Sequence, residues 1–96
     1  MMSLHQRVDR GISWLDNNAP EDWRERIGSE PFTDEGMRGI RTCVLGRVYG
    51  SLYTAKTGLM ILADYGFNSG VSIGYDTTFE DVANEWNHRL GLGGSR

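Results

Sequence analysis

The chain has 96 residues, a net charge of −3 and a hydrophobic fraction of 39%. This length suits one domain with one core, and the composition excludes an intrinsically disordered chain, a collagen-like repeat and a coiled-coil rod. Thirteen acidic against ten basic residues argue against a nucleic-acid partner, and the longest uninterrupted apolar run, residues 59–63, is far shorter than a membrane span of about 20 residues.

The first predicted element is an amphipathic helix that begins near residue 4. Ser3 and Gln6 match a capping box, in which each side chain binds the backbone N–H of the other residue. Asn18 and Pro20 favour a turn, so we expect the helix to end there. Its apolar face repeats at helical spacing: Leu4, Val8, Ile12 and Leu15.

A second, short helix is expected to begin at residues 18–20, with the proline in its first turn, and to end at Gly28. Trp23 and Ile27 are four residues apart and give this helix one apolar face, which can fold back on the first helix. A small domain depends on large aromatic side chains for its buried area, so we expect the tryptophans to pack in the core.

The third region is the hardest to interpret. Thr33, followed by two acidic residues, marks a helix start. Residues 37–56 then carry both a strand-like alternation and a helical repeat, and their length without a turn signal favours one long helix. Gly46 and Gly50 argue against a helix, because each costs about 1 kcal/mol in a helix interior.

On such a helix, two faces have features that suggest contacts. A face of small residues would let another backbone approach closely; it contains Gly39, Cys43, Gly46 and Gly50. We expect a neighbouring helix of the same chain to fill it, and a second copy of the chain is the alternative. A basic and aromatic side is suited to binding; it contains Arg38, Arg41, Tyr49, Tyr53 and Lys56. The competing interpretation of this side is a solvated surface.

Three elements are predicted in the remainder of the chain. Residues 59–65 form a short, buried, apolar helix that Gly66 ends. Residues 71–75 alternate like a strand without a partner, so we interpret them as an extended loop. The last helix begins at Thr77 or Thr78 with a capping pattern. Its apolar face contains Val82, Ala83, Trp86 and Leu90.

These elements predict an all-α fold, a compact bundle of about four to five short helices with an extended loop before the last one. The alternative is an α+β fold with a small hairpin. We expect one globular domain over residues 1–90 and a flexible, glycine-rich tail over residues 91–96.

Catalytic groups are few in this sequence. His5 and His88 are the only imidazoles, and Cys43, the only thiol, falls on a packing face of its predicted helix. The one Glu-x-x-His spacing, which ends at His88, lacks the second copy that a helical di-metal site needs. Glycine-rich phosphate loops are missing as well. We therefore expect no enzyme activity, no metal and no cofactor.

Four strings resemble one group of proteins: GISWLD at residues 11–16, PEDWR at 20–24, CVLGRVYG at 43–50 and GFN at 66–68. In these strings the chain is similar to small proteins of unassigned activity encoded by phages of actinobacteria. The resemblance implies a phage protein in the cytoplasm of a bacterial host, a reducing compartment that suits a lone cysteine. It assigns no functional residue.

Two hypotheses about function remain. The first is a non-enzymatic interaction protein that binds a host or phage protein, or a second copy of itself, through the basic and aromatic side. The second is a protein that binds or sequesters a small anionic, nucleotide-like metabolite with the same arginine and tyrosine groups. Neither hypothesis involves a membrane partner.

Overall fold

The computed structural model describes residues 2–55, 57–59 and 61–93 of the chain. Within them the backbone forms five α-helices, and no β-strand occurs in these residues. The helices are α1 (Leu4–Asn18), α2 (Trp23–Ile27), α3 (Asp34–Arg38), α4 (Val44–Tyr49) and α5 (Phe79–Leu90). Short 3₁₀ turns lie at Leu52–Thr54, Leu62–Tyr65 and Val71–Ile73. The all-α prediction is confirmed, and the alternative fold with a β-hairpin is wrong.

Helices α1 and α5 begin as their sequences predict. The Gln6 N–H donates to Ser3 Oγ at 3.2 Å, and the Ser3 N–H donates to Gln6 Oε1 at 3.0 Å. Thr78 and Asp81 exchange the same two hydrogen bonds at the start of α5. Each box satisfies two backbone donors that the first turn of a helix leaves free.

Helix α2 begins later than predicted. Ala19 has an extended backbone, and its N–H donates back to Leu15 O, which completes α1. The carbonyl of Pro20 then accepts the Trp23 N–H in a turn, so the helix starts only at Trp23. Gly28, with φ of +80°, ends the helix as predicted.

The predicted single helix over residues 37–56 is wrong, because the chain turns between α3 and α4. Thr42 Oγ1 donates to Gly36 O at 2.6 Å, and Cys43 Sγ accepts the Gly46 N–H at 3.4 Å. These two side chains satisfy backbone groups at the end of one helix and the start of the next. Gly39 ends α3 in an extended conformation, so the two side chains complete a break that begins at a glycine.

The predicted apolar helix over residues 59–65 is a 3₁₀ turn, Leu62–Tyr65. Gly66, with φ of +72°, closes the turn, and the Phe67 N–H donates back into it at 3.1 Å, so the predicted stop is confirmed. Burial was expected for the whole apolar run, but Ile61 is 44% exposed.

The core contains two of the three tryptophans. Trp86 is fully buried; its ring stacks on Phe67 with centroids 5.7 Å apart, and its Nε1–H donates to Gly66 O at 2.6 Å. Trp23 is also buried, so the expected core positions of these two are confirmed. Trp14 is half-buried and meets Phe67 edge-on at 6.2 Å. Gly11 lets α1 approach this cluster, because a Cβ there would overlap the carbonyl oxygen of Tyr65 and would lie 3.1 Å from the Trp86 ring.

Helix α5 ends at Gly91, which has φ of +69°. The next residue, Leu92, donates its N–H to Asn87 O at 2.8 Å and packs against the core. Residues 94–96 of the predicted flexible tail lie outside the described residues. Among the helices that the structure describes, none combines the length and the apolar composition that crossing a bilayer requires.

Candidate functional site

Arg7 of α1 connects the helices to the irregular segment that follows the 3₁₀ turn Leu62–Tyr65. Its side chain is fully buried. Nε donates to Ala63 O at 2.8 Å, Nη1 donates to Thr77 Oγ1 at 2.9 Å, and Nη2 donates to the carbonyls of Asn68 and Ser69, both at 3.0 Å. One guanidinium therefore holds both ends of a loop that has no regular backbone pairing.

Tyr75 covers the other side of this guanidinium. The Arg7 Cζ lies 3.9 Å from the centroid of the Tyr75 ring, and the Tyr75 hydroxyl donates to Asp64 Oδ1 at 2.5 Å. Burial lowers the pKa of Arg7, and the neighbouring Tyr75 and Asp64 oppose that shift. The hydrogen bond to Asp64 raises the pKa of Tyr75. The three side chains together fix the base of the loop.

The loop itself presents apolar side chains to solvent. Gly70 and Gly74 have φ of +76° and +104°, and the N–H groups of Ile73 and Tyr75 both donate to Gly70 O. A Cβ at Gly70 would overlap the Tyr75 ring, so glycine is required there. Val71–Ile73 consequently forms a 3₁₀ turn that stands out from the base, and the extended conformation predicted for residues 71–75 is wrong.

Three exposed β-branched side chains are grouped here as the apolar surface: Ile61 is 44% exposed, Val71 61% and Ile73 50%. Ile61 and Ile73 line the same cleft of about 250 Å³. Val71 lines a second cleft, of about 290 Å³, together with Arg38 and Phe79. Monomeric proteins expose single apolar side chains routinely, whereas exposed apolar side chains that line one cleft, as Ile61 and Ile73 do, are typical of binding surfaces.

The structure separates the predicted basic and aromatic side over four elements. Arg38, on α3, pairs with Asp34 at 3.2 Å and lies 4.8 Å above the Phe79 ring. Arg41 is exposed in the turn before α4. Tyr49 is half-buried on α4, where burial raises its pKa. Tyr53 is 79% exposed in the 3₁₀ turn Leu52–Thr54, and Lys56 lies outside the described residues. Of this set, Arg38 is the member that lines a cleft beside the apolar surface.

The four residues of the predicted small-residue face also have separate roles. Gly39 ends α3, Cys43 caps α4, and Gly50, with φ of +88°, ends α4. Gly46 alone presses against backbone: a Cβ there would lie 2.6 Å from the carbonyl oxygen of Ile40. The close approach at Gly46 is therefore made by the turn of the same chain, and not by the neighbouring helix that was expected.

Reactive side chains are dispersed. Cys43 is buried, and burial raises the pKa of its thiol. The His5 imidazole lies at the surface between two carboxylates, 3.6 Å from Asp9 and 3.1 Å from Glu85, with a different nitrogen facing each. Across residues 2–55, 57–59 and 61–93, no group of three or more His, Cys, Asp or Glu side chains is placed to hold a metal ion.

The apolar surface was not predicted as a site, although the sequence contains its signal. Residues 71–75 alternate between apolar and small residues, lie next to glycines and have no second strand in the sequence with which they could pair. This pattern is consistent with a solvent-exposed loop that contains apolar residues. The buried role of Arg7 has a weaker signal in the sequence, which is its position on the apolar face of α1.

Comparisons of the chain with protein-family models, with curated proteins and with solved structures found no match.

Proposed function

We propose that this chain is a non-enzymatic domain that binds another protein through the apolar surface. The observation that carries the proposal is the exposure of Ile61, Val71 and Ile73, each between 44% and 61%, beside two clefts. Burying such side chains against a partner removes apolar area from water, which is the main favourable contribution to protein association.

The fixed base of the loop supports this proposal. Binding costs less conformational entropy when the contacting segment is already ordered. Arg7, Tyr75 and Asp64 hold the segment below Val71–Ile73 through buried and partly buried hydrogen bonds, so the exposed side chains are presented in a defined position. Arg38 adds a charged group at the edge of one cleft, as is common at interface borders.

The alternative of an anionic metabolite at the basic and aromatic side has less support. A nucleotide-like ligand needs its phosphate and ring contacts to converge on one cavity. Arg38, Arg41, Tyr49 and Tyr53 lie on different elements, and Tyr49 is half-buried. The resemblance to phage proteins suggests that the partner is a host or phage protein in a bacterial cytoplasm.

Affinity capture from an actinobacterial lysate tests the proposal. The double variant Val71→Ser with Ile73→Ser removes the exposed apolar groups, Tyr53→Ser removes an exposed residue of the basic and aromatic side, and Glu21→Ser is a neutral surface control. We expect a specific partner to be retained by the Glu21 and Tyr53 variants, and its yield to fall by at least about tenfold with the double variant.

Two outcomes would contradict the proposal. If the double variant captured the same proteins in equal amount, the apolar surface would not be the binding site. If the Tyr53 variant alone lost the partner, the basic and aromatic side would replace it. The substituted side chains are all exposed, so we expect every variant to fold. Circular dichroism and urea melts of all variants check that a lost partner does not reflect a lost fold.

A further inference from the structure

The two clefts beside the apolar surface differ in the charge of their walls. Among the residues that the structure describes, no charged side chain lines the cleft that contains Ile61 and Ile73. The second cleft contains Arg38 beside Val71. An uncharged cleft cannot compensate a charged group for its lost water, so the first cleft suits an uncharged, apolar side chain of a partner.

Three arginines lie near these clefts. Arg38 pairs with Asp34 at 3.2 Å. Arg7 is buried and donates four hydrogen bonds to the segment around the clefts. The guanidinium of Arg10 lies 4.6 Å from the Tyr65 ring, and its side chain is exposed. Arg7 and Arg38 are thus held within the chain, which leaves Arg10 as the exposed cation of the three.

Carboxylates outnumber these three arginines. Five of them lie within residues 69–77, next in sequence to a residue that lines a cleft, or in a polar contact with such a residue: Asp34, Asp64, Asp76, Glu80 and Asp81. The described residues around the clefts therefore carry an excess of two negative charges. The N-terminus of α5, with about half a positive charge, offsets only part of this excess.

Asp76 and Glu80 are the carboxylates that are open to a partner. Both are exposed, and among the described residues neither takes part in an ion pair. Asp76 lies between two residues that bind the carbonyls of Gly70 and Ser69, so it is held beside the exposed turn of the loop. Glu80 follows Phe79, which lines the second cleft. These two residues form an acidic border of the apolar surface.

We infer that the partner at the apolar surface is a protein that presents a short segment with an uncharged, apolar centre and lysine or arginine residues on both sides of it. The inference rests on the proposed function and names the chemistry of the partner. The apolar centre packs on Val71 and Ile73, and the basic residues face the acidic border. Complementary charges at the border of an interface speed association and select among partners. A second copy of the chain is a poorer match, because it would bring a second acidic border to the contact.

Nuclear magnetic resonance titrations of the ¹⁵N-labelled chain with three synthetic peptides test this inference. The peptides share the apolar centre Leu-Ile-Trp-Leu and carry two lysines, two serines or two glutamates at each end. We expect the lysine peptide to shift the amide signals of Val71, Ser72 and Ile73 and to bind at least about tenfold more tightly than the serine peptide. The glutamate peptide should bind most weakly. The preference for lysine should fall to about threefold or less when salt rises from about 0.05 M to about 0.5 M, because salt screens exposed charges.

Two double variants separate the acidic border from the net charge of the chain. Asp76→Asn with Glu80→Gln removes the border. Glu21→Gln with Glu25→Gln removes two exposed carboxylates near α2 and changes the net charge by the same amount. We expect the first variant to bind the lysine and serine peptides with similar affinity, and the second to keep the preference of the parent. A preference that survives in the first variant, or disappears equally in both, would contradict the role of the border.

The outcomes distinguish this inference from the proposed function. If the three peptides shift the signals of Val71–Ile73 with equal affinity, or if the glutamate peptide binds most tightly, the apolar surface binds proteins but the basic flanks are wrong. If no peptide shifts these signals, the inference fails. The capture experiment with the Val71→Ser and Ile73→Ser double variant then decides separately whether the proposed function stands.

Discussion

Arginine side chains hold the irregular parts of this molecule by donating to backbone carbonyls. Arg47 repeats on one loop what Arg7 does on another: it donates to the carbonyls of Ile27, Glu30 and Pro31 at 3.2, 2.5 and 3.3 Å. Its guanidinium lies 3.9 Å from the Phe32 ring centroid. A lysine ammonium has no planar fork and cannot bind such a set of acceptors in the same way.

Replacing Arg7 should therefore destabilise the fold. In Arg7→Met, the four hydrogen bonds that the buried guanidinium donates to Ala63, Asn68, Ser69 and Thr77 are lost. A hydrogen bond from a charged group contributes about 1.5–3 kcal/mol, so we expect a total loss of about 3 kcal/mol or more. Urea denaturation measures the loss. Arg10→Met, an exposed arginine on the same helix, is the control and should cost less than about 1 kcal/mol. Equal midpoints for the two variants would refute the role of Arg7.

The buried thiol of Cys43 gives a pH dependence of stability. Burial raises its pKa above the ordinary value of 9.0, so the folded chain keeps the proton at a pH where the unfolded chain has lost it. The unfolded state then binds fewer protons, and stability falls as the pH rises above about 9. We expect urea midpoints to decline between about pH 8 and about pH 10, and to decline less in Cys43→Ser. The same decline in both proteins would assign the effect to other groups.

At the scale of elements, sequence reasoning succeeded where local hydrogen bonds decide the structure. The capping boxes at Ser3 and Thr78 and the stops at Gly28 and Gly66 depend on residues a few positions apart. The break inside the predicted helix over residues 37–56 was missed because the sequence around it contains no strong turn motif. Thr42 and Cys43 are not strong turn residues, yet their side chains bind nearby backbone.

A longer-range contact adds to that break. The Leu52 N–H donates to Ile40 O at 2.6 Å, which brings the chain after α4 back to the turn before it. The spacing of apolar residues along the sequence cannot indicate such a long-range hydrogen bond. The apolar surface was missed for a related reason. The tertiary fold decides whether an apolar residue is buried in the core or exposed to solvent, and the sequence pattern does not show this. Val71 and Ile73 have a strand-like spacing, but glycines on both sides direct them outward.

Gly46 provides a test of the turn between α3 and α4. In Gly46→Ala the new Cβ would lie 2.5 Å from the Arg41 carbonyl carbon and 2.6 Å from the Ile40 oxygen, both backbone atoms that cannot move freely. Helix propensity alone would stabilise this variant by about 1 kcal/mol, but overpacking costs about 1–3 kcal/mol, so we expect net destabilisation. Urea melts give the sign. Asn84→Ala, at an exposed position of α5, shows the propensity gain without overlap.

A stabilised Gly46→Ala protein would contradict the contact. It would mean that the turn moves away from the helix at little cost, and that glycine at this position reflects no packing constraint. A destabilised variant, with Asn84→Ala unchanged or stabilised, supports the geometry in which the backbone of Ile40 and Arg41 lies directly on α4.

At the scale of the whole molecule, the folded surface follows from chain length. The accessible surface is 5618 Å², close to the value of about 5,500 Å² that scaling with mass gives for a folded monomer. The radius of gyration of 12.1 Å agrees with the value of about 12.5 Å for a compact chain of this length. Neither quantity depends on which residues face outward, so they do not locate a site.

Because Gly46 packs within the chain, we expect the melting temperature to be independent of protein concentration. A contact between copies would raise it with concentration, by mass action. Calorimetry at two concentrations, together with sedimentation equilibrium, measures this. If the melting temperature rises with concentration and the rise disappears in the Val71→Ser and Ile73→Ser double variant, the partner at the apolar surface is a second copy of the chain.

The loop that carries Val71 and Ile73 has its structural residues and its exposed apolar residues in separate positions. Arg7 binds the carbonyls of residues 63, 68 and 69, which any side chain at those positions would offer, whereas Val71 and Ile73 make no comparable contribution to the core. Evolution can therefore exchange the outward residues without re-optimising the buried ones. Under the proposed function, a change of recognition specificity would need as few as two codons, and directed libraries at positions 71 and 73 should yield mostly folded members.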